Sequence, residues 1–157
     1  MRQNKRMTAL FLAGAMVLAA APSSAQVREQ RPNLVGGELL GRGILLTANY
    51  ERFFTNQLGI GAGFMGIGAS DGFVGIVPLY GSLTLGDIHA FYLAAGTSIL
   101  FGDGSIDDDF TSEAVATLSF GYQYQSYGGF FVRPLFTFLF NEGDFLLWPG
   151  ITIGGSF

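Results

Sequence analysis

The chain has 157 residues, no cysteine, 16 phenylalanines, 24 glycines and only 13% charged residues, with a formal net charge of −4. Without cysteine there is no disulfide, no thiolate metal site and no cysteine nucleophile. So few charges also argue against a basic, phosphate-seeking surface.

The first 25 residues have three parts. Arg2, Lys5 and Arg6 are basic, Met7 to Ala21 are apolar, and Ser23-Ser24-Ala25 are small. This is the pattern of a secretory signal peptide, with cleavage expected between Ala25 and Gln26. The apolar run is about 15 residues, short of the roughly 20 that a spanning helix needs. Its removal leaves Arg28, Arg31, Arg42, Arg52 and Arg133 against 12 acids, a net charge of −7, and no lysine. A nucleic-acid partner is thereby disfavoured. The remaining ~132 residues suit one domain. No stretch of them reaches roughly 18 uninterrupted apolar residues, so a transmembrane helix is excluded. Two architectures remain: a soluble β-sandwich or barrel, and a membrane β-barrel, which satisfies its backbone in lipid by pairing strands.

Residues 26–32 are polar and read as a short periplasmic lead-in; residues 33–157 read as the barrel. Turn signals recur roughly every 10 to 15 residues, the spacing of an all-β meander. They delimit strands Asn33–Leu40, Ile44–Phe54, Gln57–Ile67, Phe73–Leu85, Ile88–Phe101, Phe110–Gln125, Gly129–Phe140 and Asp144–Phe157. Parity supports the count. If the carboxy-terminus lies in the periplasm, walking back puts Thr55–Asn56, Gly86–Asp87 and Ser126–Gly128 inside. Gly41–Gly43, Gly68–Gly72, Gly102–Asp109 and Asn141–Gly143 then lie outside, so Asn33–Leu40 is needed to return the amino-terminus to the periplasm. Long outer loops and short periplasmic turns are the pattern of transmembrane barrels.

Within strands the residues alternate. Phe130, Val132, Pro134, Phe136, Phe138 and Phe140 share an apolar phase opposite Arg133 and Thr137. Thr47, Asn49 and Glu51 oppose Ile44, Leu46, Ala48 and Tyr50. Gly59, Gly61 and Gly63 oppose Leu58, Ile60, Ala62 and Phe64. The large apolar phase is too continuous for a surface in water, and the small phase suits a narrow bore. Tyr50, Tyr122, Tyr124, Tyr127 and Trp148 fall near strand ends, as an interfacial aromatic girdle would. Pro134 and Pro149 fall inside strands, where each predicts a bulge or an irregular hydrogen bond. The predicted fold is an all-β, eight-stranded, antiparallel, up-and-down transmembrane β-barrel.

The signal peptide, the terminal PGITIGGSF (Pro149–Phe157) and the segment LLGRGILLTANYERFF (Leu39–Phe54) together resemble small bacterial outer-membrane β-barrel proteins of the OmpA/OmpX-like size class, including uncharacterised ones. The resemblance implies that Phe157 belongs to the signal read by the barrel-assembly machinery. It further implies residence in the bacterial outer membrane as a monomer, with lipid, lipopolysaccharide and periplasmic chaperones as partners. It implies little about activity, because this fold carries adhesins, lipid-modifying enzymes, small pores and structural proteins.

Three groups of residues carry possible chemistry. Glu51, Glu113 and Arg133 are predicted to point inward from mid-strand, with Glu38 and Arg42 as further candidates. Such charges must be paired in a narrow lumen. They form either a structural plug or a gated, proton-linked path. Asp103, Asp107, Asp108 and Asp109 make an acidic outer loop, in which Asp103, Asp107 and Asp109 are weak candidates for a divalent ion; the spacing fits no EF-hand. His89, the single histidine, sits beside the predicted periplasmic turn, with Asp87 as a candidate partner. The lipid A deacylases resembled in size carry a serine two residues after their histidine, and here position 91 is Phe. The palmitoyltransferases need His, Asp and Ser near the outer rim, which His89 does not meet. The glycines from Gly59 to Gly68 precede no helix and make no phosphate loop. No cofactor is expected. The leading expectation is a non-enzymatic outer-membrane barrel acting in envelope integrity or surface interaction. A narrow pore for small solutes or protons is the alternative, and a lipid A-modifying enzyme the third.

Overall fold

Alternation of side chains builds a wall with two chemically different faces. The computed structural model describes residues 26–69, 72–104, 111–141 and 144–157. The expected signal peptide, residues 1–25, and its cleavage point lie outside the described residues. A short helix, α1 (Gln26–Gln30), precedes β1 (Asn33–Leu40). A 3-10 turn (Gly41–Gly43) leads to β2 (Leu46–Phe53), β3 (Leu58–Ala69), β4 (Gly72–Gly86), β5 (His89–Gly104), β6 (Thr111–Gln125), β7 (Phe130–Asn141) and β8 (Asp144–Ser156). Each strand pairs antiparallel with the next, and β8 returns to β1, closing the predicted eight-strand barrel.

β2 alternates without exception: Thr47, Asn49, Glu51 and Phe53 are buried, and Leu46, Ala48, Tyr50 and Arg52 are exposed. Along β7, Phe131, Arg133, Leu135 and Thr137 point inward, while Phe130, Pro134 and Phe136 point out. The exterior is an apolar belt that includes Val35, Leu46, Ile60, Phe64, Leu79, Phe91, Leu118, Phe136 and Ile153, each more than 40% exposed. Aromatic rings reinforce it, with Phe120 stacked on both Phe136 and Phe138 at 5.8 Å between ring centres. A surface of this kind would aggregate in water. It is the face a membrane barrel offers to hydrocarbon, and the polar residues are inside. Among the described residues no helix is long and apolar enough to cross a membrane.

The short connections 54–57, 87–88 and 126–129 lie at one end of the barrel with both Asn33 and Phe157, here termed the inner end. Connections 70–71, 105–110 and 142–143 belong to the outer end and lie outside the described residues. At the seam Asn33 and Phe157 exchange backbone hydrogen bonds of 3.0 and 2.9 Å, so the first and last barrel residues lock together.

Of the two outcomes expected at the prolines, a bulge or an irregular hydrogen bond, the structure shows the second at Pro134. Neither Pro134 nor Pro149 creates a bulge, because register is continuous past both. On the β6 side of Pro134 the ladder skips from Gly121–Leu135 to Tyr124–Val132. Pro149 lies one residue beyond the last β1–β8 pair, Leu40–Gly150, where no donor is required. Pro78 uses the first solution, in a gap between Ala62–Leu79 and Met65–Ile76. A missing N–H is tolerated where the ladder already lapses.

Close backbone approach at the seam depends on glycine. Gly36 faces Gly154. A Cβ on Gly36 would lie 2.6 Å from the Ile153 carbonyl oxygen and 3.0 Å from the Phe131 ring. Gly36→Val is therefore expected to destabilise closure by about 1–3 kcal/mol, the usual cost of overpacking. A lower urea midpoint for the folded barrel in lipid vesicles, read by heat-modifiable gel mobility, checks this.

Candidate functional site

The lumen is filled at three levels, each by an arginine. In the middle, β2 and β7 bring Glu51 and Arg133 together: Arg133 Nη1 lies 2.7 Å from Glu51 Oε2, and both side chains are buried. Arg133 also donates from Nε and Nη2 to Gln123 Oε1 at 2.9 and 2.6 Å. Its guanidinium lies 3.8 Å from the centre of the Tyr92 ring. Ser82 donates its hydroxyl to the other Glu51 oxygen. A charge in this position is tolerable because every side of it is met by an opposite charge, an amide or a π-face.

The outer level comes from the β1–β2 connection, which folds into the bore instead of over the rim. Gly-Arg-Gly permits this. Gly41 has φ +71°, and side chains at Gly41 and Gly43 would run into Glu38 and Thr47. Leu40 and Ile44 also adopt positive φ, 59° and 70°, and for β-branched Ile44 that is a strained conformation. The strain is held by Arg42, whose backbone N–H donates to Glu38 Oε1 at 2.8 Å and whose guanidinium pairs with both Glu38 oxygens. Arg42 Nη1 donates to the Tyr92 hydroxyl at 3.2 Å, and the group stacks 3.8 Å from the Tyr80 ring centre. Thr152 and Asn49 complete the shell of Glu38 at 3.0 and 3.3 Å. Ser98 donates to the Arg42 carbonyl at 2.9 Å.

The inner level is α1, in the lead-in. Val27 is wholly buried, and its N–H donates to Asp87 Oδ1 at 3.0 Å. Buried Arg28 donates to three carbonyls of the inner turns: Asn56 at 2.6 Å, Asp87 at 3.1 Å, and Gly86. Burial pushes its guanidinium down to about 10, with the Asp87 carboxylate acting the other way, so it stays cationic at neutral pH. Arg31 donates to the Tyr127 and Ser156 carbonyls at 2.8 and 3.0 Å, and the Tyr127 hydroxyl donates to Asp87 Oδ2 at 3.2 Å. Residues 26–31 are thus tied to all three inner turns and to β8.

Of the residues singled out in the sequence, the structure brings Glu51 to Arg133 and Glu38 to Arg42. Glu113 joins neither pair. It is exposed near the outer end of β6 and accepts a 2.7 Å hydrogen bond from Asn141. It shares the inward phase of β6, but it stands above the filled part of the bore. Asp103 pairs along the backbone with Phe73 near the outer end of β5; Asp107, Asp108 and Asp109 lie outside the described residues. Among those described, no three His, Cys, Asp or Glu side chains gather. Phe157 closes the seam with its ring exposed. His89 sits outside near the inner end, with Nδ1 against the Tyr122 hydroxyl. Asp87 is engaged by Val27 and Tyr127, so the expected Asp87–His89 partnership is replaced by Tyr122.

Tyr80, Tyr92 and Gln123 also build this site. Their inward phase on β4, β5 and β6 was a usable signal. Arg28 carried none, since a five-residue helix has too short a pattern to betray its buried face.

No protein-family model matches the sequence, and no curated protein matches it either. Solved structures do. The N-terminal β-barrel domain of Pseudomonas aeruginosa OprF superposes with a TM-score of 0.61 at 13% identity, over 81% of this chain and 98% of that one. The Yersinia pestis outer membrane protein Ail, in a phospholipid bilayer nanodisc, gives 0.50 at 11% identity, over 80% and 97%. The chain has the fold of small bacterial outer-membrane barrels.

Breaking a buried pair exposes its cost. Arg133→Met is expected to destabilise the barrel by about 3–5 kcal/mol, because it leaves Glu51 buried and unpaired. Adding Glu51→Gln should restore part of that loss. Urea unfolding of the two single variants and the double variant, each in vesicles, measures the coupling.

Proposed function

We propose that this protein is a non-enzymatic integral barrel of the outer membrane, whose filled lumen makes it a rigid pedestal for its outer loops. It serves the envelope structurally or in surface interaction. The observation that carries this reading is the stack of three buried arginines, Arg42, Arg133 and Arg28, each satisfied by the barrel's own oxygens. A continuous aqueous path would leave some of these groups to water. The charge distribution supports the outward role. Among the described residues, Asp103, Glu113 and Asp144 stand at the outer end, while every arginine from Arg28 onward lies in the bore or at the inner end. Contacts of the outer rim with lipopolysaccharide phosphates then run through divalent cations, and a protein partner would be basic.

A second reading has one observation in its favour. Both end plugs, the 3-10 turn and α1, are non-strand segments that can leave without opening the sheet. A pore would result if they moved and the Glu51–Arg133 pair also parted. Lipid A modification has less support: His89 contacts a tyrosine on the exterior, and Phe91 stands where a serine would be needed.

The experiment is planar-bilayer conductance. The barrel without residues 1–25 should be silent. A variant combining deletion of residues 26–31 with Arg42→Ala and Arg133→Ala, which empties all three levels, should conduct in discrete steps. Steps from the unmodified barrel would overturn the pedestal and put the pore first.

A further inference from the structure

Of the five arginines from Arg28 onward, Arg28, Arg42 and Arg133 are buried and Arg31 is half-buried. Arg28 and Arg31 hold turn and β8 carbonyls; Arg42 and Arg133 hold Glu38 and Glu51. Arg52 differs. It lies on the outward face of β2, exposed, and its Nη1 meets a neutral group, the Asn33 side-chain oxygen, at 3.3 Å. The Tyr50 hydroxyl donates to the same oxygen at 2.8 Å, and the Asn33 amide nitrogen is anchored on the Phe157 carbonyl at 3.1 Å. A fixed amide thus gathers a guanidinium and a phenol at the inner end of the lipid-facing wall.

Directly outward from them the wall carries a shallow, open depression. Register places Arg52 level with Asn33 and Ile60, Tyr50 level with Val35 and Ala62, and Ala48 level with Gly37 and Phe64. Ala48 and Ala62 leave a groove of about 370 Å³ between the larger Val35, Tyr50 and Phe64. A second groove of about 350 Å³ is bounded by Leu58, Leu83, Leu93 and Leu118 over Gly81 and Ala95; no charged residue lines either groove, but Arg52 stands beside the first, two residues from Tyr50 on the same face of β2. Hydrocarbon fills both in a bilayer; the cation decides which groove selects its occupant.

We infer that Arg52, positioned by Asn33 beside Tyr50, holds the phosphate head group of one anionic glycerophospholipid of the periplasmic leaflet, with an acyl chain in the groove over Ala48 and Ala62. Arginine matches phosphate with two parallel N–H donors, and basic pockets on membrane-protein walls recognise lipid head groups in this way. The inner end carries the short connections 54–57, 87–88 and 126–129, and short turns face the periplasm in barrels of this kind, so the leaflet is the periplasmic one. The inference rests on the barrel lying in a membrane.

The test is native mass spectrometry of the barrel without residues 1–25, released from detergent after adding phosphatidylglycerol or zwitterionic phosphatidylethanolamine. One retained phosphatidylglycerol is expected, with retention falling about tenfold in Arg52→Gln, as for loss of a charged hydrogen-bond pair. Ala62→Phe, which fills the groove, should show a similar loss. Ala95→Phe, in the second groove, should leave retention unchanged. Equal retention in all four proteins, or equal retention of both lipids, overturns the site and leaves only a general lipid coat. Heat-modifiable mobility, recorded on each variant, keeps the two failures apart: a wild-type chain that never shows it overturns the membrane barrel itself.

Discussion

Lipid offers no hydrogen-bond partner to a backbone, so every N–H and C=O of the wall must be answered from within the wall. That requirement concentrates at the seam, where Asn33 meets Phe157 and β1 lies along β8. Once eight strands close, the bore is fixed and narrow, and what can stand inside follows. The Tyr80 ring occupies the space over Gly61, and its backbone lies against Gly96. Large inward residues on one strand are matched by absent side chains on the next. The glycine content is therefore a packing requirement of closure.

A narrow bore also sets the terms for charge. An unpaired ion there would carry a large desolvation penalty. Here each guanidinium has an acceptor, and two of them lie on tyrosine faces. The middle pair belongs to the strands, whereas the outer and inner stoppers belong to a tight turn and a five-residue helix. The rigid element and the removable elements are thus different parts of the chain. The strained Leu40 and Ile44 show that the turn is held in by its contacts and not by its own conformational preference.

Much of this was legible in the residues because two solvents enforce one period. Hydrocarbon outside and a tight polar interior make every second side chain informative, so strand number, order and direction could be read with ends close to those observed. Glu51 and Arg133 stood out as charges in the inward phase near mid-strand. Glu113 shares that phase and yet stays outside the network, because phase gives direction and not depth. The role of Arg28 depends on where the lead-in folds back, and nothing local encodes that. At Pro134 and Pro149 the residues allowed a bulge or an irregular hydrogen bond without choosing between them, because a ladder can lapse without shifting register and a gap leaves no trace in alternation.

The strands are of unequal length. β1 and β2 have eight residues each, β4 has 15 and β5 has 16. Eight residues, at ~3.3 Å each and tilted by ~40°, rise about 20 Å, less than the ~25 Å apolar band usual for such barrels. Exposed Ile44 and Leu45 beyond β2 extend the band only slightly. The barrel therefore has a low side and a high side. A bilayer meeting it must thin locally along β1 and β2, or the barrel must lean toward them. Hydrophobic mismatch thus gives the molecule a preferred tilt and makes its low side the place where membrane thickness acts on it as a mechanical load.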